Sequence, residues 1–107
     1  MAKTNVEKFG SVLEKMERTY IAKNNDYDNS FHQSYEEFGL VSPVIRLADK
    51  LNRLKSFCRN TQKGMMVKDE SVQDTLLDLA NYAVMALVEM EKDEELTPEE
   101  EMEQRWS

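Results

Sequence analysis

From Glu70 to Glu91 the chain contains neither glycine nor proline. Across that span Val72, Leu76, Leu77, Leu79, Ala80, Ala83, Val84, Leu87 and Met90 fall at helical spacing and cover half of the circumference or more. A helix that is apolar nearly all round belongs inside a bundle or at an interface. The rest of the chain, or a second copy of it, must therefore supply helices to cover this one.

The remaining sequence supports that demand. Only three glycines and two prolines occur in 107 residues, and β-branched residues are sparse. A first helix is expected from about Thr4 to Lys23, with Val6, Phe9, Leu13, Met16 and Tyr20 as its apolar stripe and Gly10 as a weak spot. The Asn/Asp-rich run Asn24 to Asn29 reads as a loop, because short polar side chains compete for local backbone groups. Ser30 would cap a short helix ending at Phe38 and Gly39. Ser42 and Pro43 would open a third helix running to about Asn60, and Asp69 would cap the fourth. The expected fold is all-α and four-helix bundle-like, completed by oligomerisation. Residues 1–93 form one domain; 94–107 form an acidic, solvated tail in which Trp106 is loosely held or docked on a neighbouring chain.

The formal net charge of −7 argues against duplex nucleic acid as the main partner, since such binding needs a basic surface. The single Cys58 excludes an internal disulfide and fits a reducing compartment; its place on an apolar face predicts a buried, inert thiol. No leader is seen, and no apolar run approaches the ~20 residues that span a bilayer, so a cytoplasmic protein without a membrane partner is expected.

Two polar stripes interrupt the apolar helices. With Glu70 at zero, Asp74, Asp78 and Asn81 lie at about 40°, 80° and 20°, on one face beside packing residues. Clustered carboxylates at a partly buried surface need a cation. One source is a hard ion such as Mg²⁺, or Mn²⁺ in its place, which takes oxygen ligands. The other is the basic stripe Arg46, Lys50 and Arg53, which shares a face with Asp49 on the preceding helix. Ordinary salt bridges of small value explain such spacing equally well. Acids for a metal next to cations for phosphate are also what a nucleotide polyphosphate site contains. Asp26 adds a possible ligand, and Tyr27 or Phe31 could stack on a base. His32, the only histidine, reads as a packing or capping residue.

The blocks "KNNDYDNSFHQSYEEFGL", "SPVIRLADKLNRLKSF" and "DESVQDTLLDLANYAVMAL" resemble, in order and spacing, the nucleotide modification associated domain type 1 family, over roughly Tyr20 to Met90. That family is common in phages and is thought akin to the MazG kind of all-α nucleotide pyrophosphohydrolases, which form dimers or tetramers. The resemblance implies that Glu70, Asp74 and Asp78 act in catalysis and, with Asp49, hold Mg²⁺. It also implies that Arg46, Lys50, Arg53, Asn81, Asp26 and Tyr27 bind a nucleotide, in host cytoplasm if the chain is phage-encoded. Relatives of the MazG kind carry a Glu pair on the helix before the last acidic one, where this chain has Asp49 among basic residues. Three functions stay open: triphosphate pyrophosphohydrolase chemistry, nucleotide binding or sequestration without turnover, and a protein-interaction or inhibitor module.

Overall fold

The structure, a computed structural model, describes residues 2–64, 66, 69–91, 99, 102 and 103, with backbone only for 24–29 and 69. The fold is all-α with bundle-like packing, as expected. Its long elements are α1 (Asn5–Phe38), α2 (Val41–Gln62) and α3 (Asp69–Met90), and Glu99, Met102 and Glu103 are helical as well. Most of the expected tail, Trp106 included, and the Asp69 side chain expected as a cap lie outside the described residues.

α1 differs from expectation in one respect: the run Asn24 to Asn29 is helical, so the first two expected helices are a single one. The reason is tertiary. Tyr20 and Phe31 lie eleven residues apart, about three turns, so an unbroken helix puts both on one side. Both pack in the core with Met85 and Tyr82. Asn and Asp each cost at most about 0.7 kcal/mol in a helix interior relative to Ala, less than aligned aromatic burial recovers. Thr4 begins α1 through a capping box: the Glu7 amide donates to Thr4 Oγ1 at 3.1 Å and the Thr4 amide donates to Glu7 Oε1 at 3.3 Å.

Gly39 closes α1 as expected. Its φ of 71° is left-handed, open to glycine without a Cβ penalty, and its amide donates to the Tyr35 carbonyl at 2.8 Å. α2 starts earlier than Ser42. Leu40 is its N-cap without a side-chain hydrogen bond, and Pro43 sits inside the first turn, where its missing N–H costs nothing. Pro43 is fully buried.

α2 runs antiparallel to α3, since Arg46 meets Tyr82 and Lys50 meets Asp78. α1 runs in the same sense as α3, with Lys15 beside Asp74 and His32 beside Glu89. The buried core is small and sits where all three helices converge. Phe31 and Met85 are 3% and 6% exposed, with Ala86 also buried. The Phe31 and Tyr82 rings stack with centroids 6.0 Å apart, and the Arg46 guanidinium lies over both at 5.5 and 5.6 Å. Phe31 is therefore a core residue and not a ring open to a base. Cys58 is exposed, contrary to the expected buried thiol, because no other helix among the described residues covers that face of α2.

Candidate functional site

The polar stripe on α3 lies on one face, but its burial is graded. Glu70 and Asp74 are exposed, Asp78 is half-buried, and Asn81 is buried, followed on the same face by buried Met85. The gradient follows from where the aromatic cluster of α1 meets α3: Tyr20, Phe31 and His32 pack near residues 82–89, leaving Glu70 and Asp74 in the first turns of α3 exposed.

Asp78 is the hinge of this stripe. Lys50 Nζ stands 3.1 Å from Asp78 Oδ2, and both side chains are only 25% exposed. Partial desolvation strengthens the attraction beyond that of a free surface pair. The basic stripe of α2 thus supplies the cation for the deepest carboxylate. Continuing the antiparallel register by one turn brings Arg53 level with Asp74 and Thr75. The exposed Arg53 has its guanidinium 5.7 Å from the centre of the Phe57 ring, which holds it near the surface of α2. Arg46 is placed differently, against the Phe31 and Tyr82 rings, where it serves the core.

Glu70, Asp74 and Asp49 are exposed and have no ion pair among the described residues. Asp49 is on α2 and the others on α3; among the described residues no group of three or more His, Cys, Asp or Glu comes together to hold a metal. Glu70 and Asp74 alone, four residues apart on one face, are neighbours of the kind that hold Mg²⁺ with phosphate and water completing its shell. Asp26 and Tyr27 stand on helix, not on a loop, and their side chains lie outside the described residues.

Two grooves line the seam between α1 and α3. One, of about 370 Å³, is bordered by Lys15, Met16, Gln73, Asp74 and Leu77. The other, of about 360 Å³, is bordered by Met16, Tyr20, Asn81, Val84, Met85 and Val88. Met16 borders both, so they are neighbours along the seam. Lys15 carried no signal in the sequence, because only the α1–α3 crossing brings it to the groove that Asp74 borders.

Asn81 is 4% exposed, and its Nδ2 has no hydrogen-bond partner among the described residues. A buried donor left unpaired costs about 1–3 kcal/mol. Thr75, equally buried, resolves the same problem locally by donating to the Ser71 carbonyl at 2.8 Å. Beyond the site, His32 Nδ1 is 2.8 Å from Glu89 Oε2, which makes His32 a mid-helix tie between α1 and α3 instead of a cap.

The family model described as nucleotide modification associated domain 1 matches residues 23–90. No curated protein and no solved structure matches the chain. No helix among the described residues is long and apolar enough to cross a membrane.

Proposed function

The chain belongs to the nucleotide modification associated domain 1 family, and from that premise we propose that it is a Mg²⁺-dependent nucleotide-binding protein with pyrophosphohydrolase-like chemistry. The observation that carries the reading is the Lys50–Asp78 pair, which joins the basic stripe to the acidic one, while Glu70 and Asp74 have no ion pair among the described residues. Glu70 and Asp74 would hold the metal, as two carboxylates suffice when phosphates complete the shell. What bound Mg²⁺ supplies is neutralisation and orientation of the polyphosphate. Lys15, beside Asp74, and Arg53, level with it, add positive charge for the phosphates. Lys50 keeps Asp78 in place as the wall between the phosphate end and the core. Asp49, exposed on the same face of α2 as Lys50 and Arg53, would extend the acidic set.

The test is incubation with a panel of ribo- and deoxynucleoside triphosphates and Mg²⁺ or Mn²⁺. Formation of monophosphate and pyrophosphate is expected, lost with a chelator and lowered about 100-fold or more in Asp74→Ala. Absence of turnover with every nucleotide would sink the hydrolytic reading.

A second reading, binding or sequestration without turnover, is favoured by the same ion pair, because Lys50 takes up a carboxylate that a multi-metal site would use. It expects nucleotide binding without product and without dependence on metal. Both readings place the protein in a homo-oligomer, dimer or tetramer. Leu87 and Met90 on α3, with Val6 and Phe9 on α1, remain bare in the single chain.

A further inference from the structure

We infer that the groove around Asn81 is a nucleobase pocket, with the Asn81 side-chain amide as the group that reads the base edge. This rests on the nucleotide-binding reading above and names the part of the ligand that reading leaves unplaced. Three observations meet here. The walls are mostly apolar or aromatic, from Met16, Tyr20, Val84, Met85 and Val88, as the faces of a heterocycle require, with the Glu17 carboxylate also on the lining. The volume of about 360 Å³ suits one small ligand, near the lower end of the roughly 300–1,000 Å³ of such sites. At the wall lies an amide whose donor Nδ2 is closed off from water and unmatched among the described residues.

An apolar side chain from a second copy would fill the groove but leave that donor unpaired, at a cost in free energy. A base brings flat apolar faces and, on its edge, carbonyl oxygens or ring nitrogens that accept from Nδ2. Rotation about χ2 of Asn81, a soft torsion, turns the amide toward the groove. The pocket also lies at the correct remove from the phosphate end. Asp74 and Asn81 are seven residues apart on α3, roughly 10 Å along the axis, comparable with the separation of a base from its own phosphates. Met16 borders both grooves, which sets them side by side along the seam.

The experiment compares binding of four deoxynucleoside triphosphates with that of inorganic tripolyphosphate, all with Mg²⁺, by calorimetry on the wild-type chain, Asn81→Leu and Asn81→Asp. The wild type is expected to prefer at least one nucleotide over tripolyphosphate by tenfold or more, a factor on the order of one good hydrogen bond plus base burial. Asn81→Leu and Asn81→Asp are expected to erase that preference while tripolyphosphate binds as before. Asn81→Leu should also raise the melting temperature of the free protein, because it removes an unpaired buried donor. Nucleotide selectivity that survives in both variants overturns the pocket and leaves the nucleotide-binding reading standing. Failure of the wild type to bind any nucleotide overturns both.

Discussion

Lys50 and Asp78 show how one contact organises a charged face. Each is three-quarters covered, so their attraction is less screened than that of a surface pair, yet neither is stripped of water. A double-mutant cycle on Lys50→Ala and Asp78→Ala should return a coupling of about 1 kcal/mol in denaturant unfolding. A coupling indistinguishable from zero would mean that the stripes do not engage in solution. Arg46 has a different role despite its place on the same stripe. With its guanidinium over Phe31 and Tyr82, Arg46→Lys should lose stability measurably, about 0.5–2 kcal/mol, because an ammonium cannot stack as a planar group does. A melting temperature unchanged by that substitution would remove the cation from the core.

At the scale of the element, the informative feature is the continuity of α1. Its 34 residues extend about 50 Å and carry Tyr20 and Phe31 to the same side of the core. If Asn24 to Asn29 are helix, Asn25→Pro should cost about 3 kcal/mol or more; in a loop the same change would be nearly neutral. Denaturant titration separates the two outcomes. Gly10 offers the converse test. A Cβ there meets nothing within 4 Å, so Gly10→Ala should stabilise the protein by about 0.5–1 kcal/mol. Local composition argued for a break at Asn24 to Asn29, because those side chains favour turns. The long-range register of two aromatic residues overrode that preference, and no window of a few residues contains both.

At the scale of the whole molecule, the single chain is extended. Its radius of gyration is 17.8 Å, against about 13 Å for a compact chain of this length, and its extents are 61 × 45 × 20 Å. The small core at the helix convergence contrasts with the bare residues along α1 and α3: Leu87 is 63% exposed and Phe9 67%. Bare apolar surface on that scale is what an interface between chains removes from water. Size-exclusion chromatography with light scattering should therefore show a homo-oligomer, and Leu87→Glu should shift it toward the monomer through the cost of burying a charge. A monomeric wild type at micromolar concentration would rule that assembly out.

Sequence alone determined the helical class, the limits of α3, the Gly39 stop and the alignment of Glu70, Asp74, Asp78 and Asn81. Each of these follows from local rules: helical period, glycine's freedom at positive φ, and side-chain angle about an axis. Only the tertiary structure decided that α1 is unbroken, that Lys50 and not its neighbours meets Asp78, and that the stripe passes from open carboxylates to a buried amide. It also decided that Arg46 and Phe31 belong to the core and that Cys58 faces outward. These depend on where helices cross. A crossing is set by the summed packing of residues far apart in the chain, which no local pattern encodes.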